Sequence, residues 1–170
     1  CQLAALSDYL PEMEFWFSVP ETRIEALDAL VQRHTLQGAD RPKLTPGRIK
    51  GMIKGFIDLV FCREGRYYVL DYKSNVLGAT DSAYGWANLE AAVLEGRYDL
   101  QYALYLHALH RHLRVRLPGY DPQRHLGGAV LLFLRGIHDE PGKGVFFAQA
   151  EAPLLDGLDA LLDGPGGRLT

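Results

Sequence analysis

The sequence predicts an α/β (α+β) fold, a mixed central β-sheet flanked by helices, on three observations. Runs with a period of two alternate with runs at helical spacing, and their order reads β-α-β-β-α-α-β-β-α. That alternation favours helices layered on a sheet. At 170 residues and 48% hydrophobic composition the chain can bury one core but is too short to expect two. Residues 1–170 are therefore expected to form a single domain, and a chain that opens on Cys1 rather than methionine reads as a piece of a longer polypeptide.

The elements follow in order. Met13 to Val19 (MEFWFSV) alternates and is aromatic, a short strand. Thr22 with Glu25 forms a capping-box pattern ahead of a helix whose stripe is Ile24, Leu27, Leu30, Val31 and His34. Two prolines and two glycines make Gln37 to Gly47 a connecting loop. Ile49 to Cys62 and Arg66 to Lys73 are strands joined at Glu64-Gly65, and Asn75 to Thr80 is a loop. Asp81 to Leu94 carries Trp86, Leu89, Val93 and Leu94 at near-helical spacing, weakened by Gly85. Tyr98 to Arg116 is the clearest helix, with Tyr98, Tyr102, Tyr105, Leu106, Leu109 and Leu113 on one stripe and Pro118-Gly119 to end it. His125 to Ile137 and Lys143 to Gln149 read as strands around a turn-rich HDEPG, and Pro153 to Asp163 as a Leu-rich helix before a frayed tail at Gly164 to Gly167.

Composition excludes several classes. A net charge of −3 and a pI near 6.1 argue against a free-standing nucleic-acid binder that works through an overall positive field. Contacts to nucleic acid must be local, and the basic groups at Lys43, Arg48, Lys50 and Lys54 and at Arg111, Arg114 and Arg116 are read first as solvated faces. No apolar run approaches the ~20 residues of a membrane span, and no signal peptide opens the chain. Two cysteines, Cys1 and Cys62, make no disulfide framework and fit a reducing cytoplasm, the expected location. No phosphate-cradling glycine loop is present, so no ATP site is expected, and Ser74 and Ser82 lack the partners of a nucleophile.

The chemistry concentrates in GFIDLVFCREGRYYVLDYKSN, Gly55 to Asn75. The period of two puts Val69, Asp71 and Lys73 on one face of the second strand. A two-residue Glu64-Gly65 loop pairs Arg63 with Arg66 and sets Asp58 opposite Asp71; a three-residue loop with a bulge would set Asp58 against Leu70 instead. Two facing carboxylates destabilise a buried strand pair unless a cation lies between them or one is protonated. Asp58 and Asp71 can hold Mg²⁺, and Lys73 can orient an attacking water and offset charge on phosphorus in phosphodiester hydrolysis. The bland alternative is a buried Asp-Lys pair that satisfies itself.

GFIDLV, RYYVLDYKSN, RYDLQYALYLHALHRHL and GGAVLLFLRG together resemble the RecB-type branch of the PD-(D/E)xK nucleases, over most of the chain from about Met13 to Arg135. The resemblance implies a restriction-endonuclease-like core and Mg²⁺-dependent exodeoxyribonuclease activity, with one or two ions. It implies Asp58, Asp71 and Lys73 as catalytic residues, Asp58, Asp71 and the Tyr72 carbonyl as metal ligands, and Gln101 with Tyr105 as a Q-x-x-x-Y element that contacts substrate. It further implies double-strand-break repair and recombination, single-stranded DNA unwound by a helicase as substrate, RecC- and RecD-like partner subunits, and loading of the strand-exchange recombinase RecA. Ile57 stands where the superfamily name has proline, which is common in this branch. The family also takes a metal ligand from a helix ahead of the first strand, which this chain begins too late to contain; Glu12 and Glu14 are not assigned that role. The site is thus expected to be incomplete and weakly active in isolation, and a second reading is a docking module for a recombinase or partner subunits. A glycosidase is a weaker third, since it has no use for Lys73. His107, His110 and His112 are expected on the surface, without an acid nearby to complete a zinc site.

Overall fold

The computed structural model describes residues 6–137 and 142–162. The expected HDEPG turn from His138 to Pro141, Cys1, Asp163 and the glycine-rich tail lie outside the described residues. Five strands form one sheet in the order β1-β2-β3-β4-β5: β1 (Tyr9–Arg23), β2 (Arg48–Arg63), β3 (Arg66–Lys73), β4 (Leu126–Phe133) and β5 (Val145–Gln149). All neighbours are antiparallel except β3 and β4, which run parallel. A parallel pair needs a long crossover, and it is supplied by α2 (Trp86–Glu95), α3 (Tyr98–Arg116) and the single turn α4 (Pro122–His125). Helix α1 (Ile24–His34) follows β1, and α5 (Ala152–Leu162) closes the chain.

The core lies between the helices and one face of the sheet. Met13, Phe15, Phe17 and Val19 of β1, Ile57 and Val60 of β2, and Ala129, Leu131 and Phe133 of β4 meet Leu27 and Val31 of α1, Tyr102, Leu106 and Leu109 of α3, and Leu154 and Leu158 of α5. Each such large side chain removed from water contributes roughly 1.5–3 kcal/mol. A smaller cluster, Leu59, Phe61, Leu70 and Leu132, covers the centre of the opposite face, where the Phe61 and Tyr68 rings stack with centroids 5.0 Å apart.

Four sequence expectations are corrected. The Thr22–Glu25 capping box does not form: Arg23 occupies the cap of α1 without a side-chain bond, and the Thr22 hydroxyl donates to the carbonyls of Pro20 and Leu161, tying α5 to the end of β1. The helix read over Asp81 to Leu94 breaks at Gly85, a 3₁₀ turn at Asp81–Tyr84 preceding α2. The strand read from His125 to Ile137 is shorter, because Asp121 caps the turn of α4 through the Gln123 amide and Leu134–Gly136 coils as 3₁₀. His107 and His110 are buried, not on the surface; only His112 is exposed.

Strand β2 is twice as long as β3, and its pairing with β3 runs only from Arg63↔Arg66 to Leu59↔Leu70. Beyond that point β1 and β2 continue together as a two-stranded ribbon, from Met13↔Ile57 to Arg23↔Arg48. Gly55 sits in this ribbon because the Phe15 ring lies over it: a Cβ there would meet ring atoms at 2.6 and 2.8 Å. No helix among the described residues is long and apolar enough to cross a membrane.

Candidate active site

The site forms where β2 and β3 part. The β2–β3 turn has two residues, Glu64 and Gly65, both at positive φ (53° and 75°), the conformation that mirror-image hairpin turns require. The register is therefore the one that aligns Asp58 with Asp71, but the ladder stops one pair short of them. The side-chain alternation of β2 also breaks at Asp58. Ile57 faces the helices, and so does Val60, while Leu59 and Phe61 face the other side. The break lies opposite Glu12, whose φ is 49°. With the pleat interrupted, Asp58 turns toward β3, and its Oδ2 accepts the Tyr72 backbone N–H at 2.9 Å in place of a strand partner. The two carboxylates thus do not face each other across a regular pair; Asp58 is pinned to the backbone between Asp71 and Lys73.

Asp71 and Lys73 share the helix-facing side of β3 as the period of two requires, and both are buried. Helix α3 lies over them. The Lys73 Nζ is 2.5 Å from Asp71 Oδ2, donates to Gln101 Oε1 at 2.5 Å, and stands 3.7 Å from the centroid of the Tyr98 ring. A hydrogen bond, an ion-pair contact and a π-face hold the ammonium on three sides and fix it in place. Gln101 Nε2 donates in turn to Asp71 Oδ1 at 3.2 Å and to the Tyr105 hydroxyl at 2.9 Å. One amide, four residues before the phenol on the same helical face, therefore links all three side chains. The Phe15 ring packs edge-on against Tyr105, centroids 5.7 Å apart, and sets the far wall. All the side chains predicted from sequence are brought to this one end of the sheet; Tyr72 contributes its backbone, and its ring points to the opposite face.

The placement of α3 rests on a buried ion network that sequence reasoning missed. Arg97, at φ 53°, bends the chain into α3. Its guanidinium pairs with Asp28 of α1 at 2.6 Å and with Asp99 at 3.1 Å, and donates to the Pro42 carbonyl. Arg41 reaches Asp99 at 2.7 Å, with both side chains wholly excluded from water. It also bonds Thr35 and the Ala39 carbonyl. Asn75, just beyond Lys73, hydrogen-bonds the Tyr98 hydroxyl and holds that ring beneath the ammonium. Arg41 and Asp99, like Arg97 and Asp28, are separated by more than fifty residues, and no local pattern marks them as partners.

Electrostatically the site is poised rather than neutralised. Burial pushes the Asp71 carboxyl upward, Lys73 pulls it back, and the nearby Asp58 charge pushes it up again; the net shift is upward. Asp71 Oδ2 is held by charge alone, for its contact with Lys73 lacks hydrogen-bonding geometry. Burial likewise raises Tyr105, opposed by the Gln101 bond and reinforced by the charges of Asp71 and Asp58, so the phenol stays protonated at neutral pH. A buried carboxylate oxygen that has an ion-pair contact but no hydrogen bond, beside a second carboxylate, suits a hard cation that takes oxygen ligands. No group of three His, Cys, Asp or Glu side chains positioned for a metal occurs among the described residues.

The histidines make a separate cluster. Asp159 of α5 lies 3.3 Å from His107 Nδ1 and 3.6 Å from His110 Nε2, and Arg114 donates to it at 2.7 Å. An acid is therefore near the histidines after all, but it locks α5 onto α3. Burial holds His107 down at about 4.

Comparison with known proteins shows the family. The profile of the PD-(D/E)XK nuclease superfamily matches residues 3–163. The RecBCD enzyme subunit RecB of Escherichia coli (strain K12) is 46% identical over 155 residues, 90% of this chain and 13% of that protein. The RecBCD enzyme subunit RecB of Haemophilus influenzae is 39% identical over 158 residues, again 13% of its length, and that of Mycobacterium tuberculosis is 48% identical over 90 residues. The chain spans about an eighth of the length of the first two relatives.

Proposed function

The chain belongs to the PD-(D/E)XK nuclease superfamily, and from that premise we propose that it is the nuclease domain of a RecB-type subunit, an exodeoxyribonuclease of the exodeoxyribonuclease V type that hydrolyses DNA phosphodiester bonds with Mg²⁺. The observation that carries this reading is the single amide of Gln101 joining Asp71, Lys73 and Tyr105 beside Asp58, at the open end of the sheet. The catalytic residues are Asp58, Asp71 and Lys73. Asp58, Asp71 and the Tyr72 carbonyl are the donors that would hold the ion, all of them hard oxygens. When bound, one or two Mg²⁺ ions supply Lewis acidity toward the scissile phosphate and the attacking water.

The protein's own groups do the rest. Lys73 places a fixed positive charge where negative charge grows on the phosphoryl oxygens, and its rigid contacts mean no reorganisation at the moment of reaction. Gln101 keeps Lys73 and Asp71 in register with each other. Tyr105 accepts from Gln101, so its own O–H is free to donate to a phosphate oxygen, and its raised pKa keeps that proton in place. Asp58 clamps the Tyr72 amide and so fixes the carbonyl and carboxylate on either side of it. A self-satisfied Asp-Lys pair would need neither Gln101 nor Asp58.

The wider assignments follow the relatives' name, a subunit of the RecBCD enzyme. We place the domain in double-strand-break repair and recombination in the cytoplasm. Its substrate is single-stranded DNA fed by a helicase; its partners are RecC- and RecD-like subunits and, for strand loading, RecA. The test is Mg²⁺-dependent degradation of single-stranded DNA by the intact protein and by its Asp71→Ala variant. Loss of cleavage with retained fold supports the reading; undiminished cleavage refutes it.

A further inference from the structure

The outer side of the β1–β2 ribbon carries what the catalytic site lacks, a surface for bases. Trp16 is 69% exposed, Met52 57% and Phe56 50%. They lie on one face, because Trp16 pairs with Lys54 and Glu14 with Phe56, which makes Trp16 and Phe56 diagonal neighbours across the two strands. Along the outer side of β2 the residues read Lys50, Met52, Lys54, Phe56, a cation and an apolar group in turn. The Lys54 amine stands 5.4 Å from the centroid of the Phe56 ring and pairs with Glu14 at 2.6 Å. Large exposed apolar residues side by side are informative where single ones are not. The sheet's own packing does not explain them, for the ribbon is already buried on its inner side by Ile53, Ile57, Phe15 and Phe17.

We infer that this face is a binding track for single-stranded DNA, in which Trp16 and Phe56 stack on successive bases and Lys50 and Lys54 contact the phosphates. The inference rests on the nuclease reading for its ligand. Its geometry rests on continuity: Phe56 is two residues from Asp58, about 7 Å along an extended strand, and the ribbon leads into the point where β2 and β3 part. Stacking platforms interleaved with cations are what sequence-tolerant single-strand binding uses. A protein partner fits less well, because lysine is depleted at the centres of protein interfaces. The acidic overall charge is no obstacle, since the track is short and local.

The experiment is ultraviolet cross-linking of oligo-dT to the intact protein in EDTA, with the attached peptides mapped by mass spectrometry. It is paired with cleavage kinetics of the Trp16→Ser/Phe56→Ser double variant. Both side chains are exposed, so the variant keeps its core. Cross-links at Trp16 or Phe56, with the KM for oligo-dT raised about tenfold or more by the double variant and hydrolysis of bis(p-nitrophenyl) phosphate unchanged, are expected. That small diester reaches the carboxylates without touching the ribbon. Cross-links confined to other parts of the chain, or an unchanged KM, overturn the inference. So does a double variant that sheds partner subunits while its cross-links persist elsewhere, which would make the face a protein interface. If the parent protein cleaves nothing, the nuclease reading fails on its own, and the cross-link map still decides where single strands lie.

Discussion

Asp99 and Asp71 both lie buried at the N-terminal end of the same helix, and the protein treats them oppositely. Asp99 receives Arg41 at 2.7 Å and Arg97 at 3.1 and 3.3 Å, so both its oxygens are filled by guanidinium donors. Asp71 receives one amide hydrogen bond at 3.2 Å and a lysine contact that leaves Oδ2 without a hydrogen bond. A buried carboxylate saturated by rigid donors is part of the scaffold. One that keeps an unfilled oxygen stores capacity for another positive group, and costs stability until it arrives. The first holds α3 in place so that the second can be held short of satisfaction.

That contrast can be broken at either aspartate. The largest effect is expected for Asp71→Ala, a loss of DNA cleavage of about 10³-fold or more with little change in secondary structure, measured as the initial rate on a labelled single strand. Asp99→Ala should do the reverse. It leaves Arg41 buried without its counter-charge and should cost about 3–5 kcal/mol of stability, read from urea unfolding; if it instead leaves the unfolding midpoint unmoved, the scaffold role is wrong. Replacing both members of the unsaturated pair, Asp71→Asn with Lys73→Met, should raise the thermal midpoint, a gain on the order of 1–4 kcal/mol, while cleavage stays abolished. A lower midpoint would mean that Asp71 and Lys73 are structural after all.

The smallest effect concerns pH. Burial depresses His107 from its ordinary 6.5 to about 4. Between those values the unfolded chain binds a proton that the folded chain refuses, so stability is full above about 6.5 and falls as pH drops toward 4. His107→Leu should flatten that part of the thermal profile. Below it, Asp159 takes over: burial works to raise its carboxyl, but His110 and Arg114 outweigh that and hold it at about 2, so a further loss is expected from 3.8 downward.

Much of this was legible in the sequence. The strand period put Asp71 and Lys73 on one side, the two-residue reading of the Glu64-Gly65 turn gave the register that is observed, and the stripe of α3 carried Tyr105 to the sheet, because each depends on neighbours within one element; Gln101 lies off that stripe and was implied by the family resemblance alone. Asp58's direction was not legible. It follows from a pleat break shared with Glu12, some forty-six residues away in sequence and reached only through strand pairing. The Arg41–Asp99 and Arg97–Asp28 pairs were invisible for the same reason. The histidines misled because polarity was taken for exposure, whereas His107 packs edge-on against Phe17, His110 against Tyr120, and both face Asp159 of α5. Gly85 was seen as a weakness in a helix and is the break itself, its backbone extended at φ −72°, ψ 161°.

We propose that Asp71 is left without a hydrogen bond on Oδ2 to receive a divalent cation together with Asp58. A crystal of the intact protein grown with Mn²⁺ in place of Mg²⁺ tests it through the anomalous signal. A peak is expected at about 2.1 Å from a carboxylate oxygen of each aspartate. A cleavage-competent crystal whose ion touches neither would contradict it.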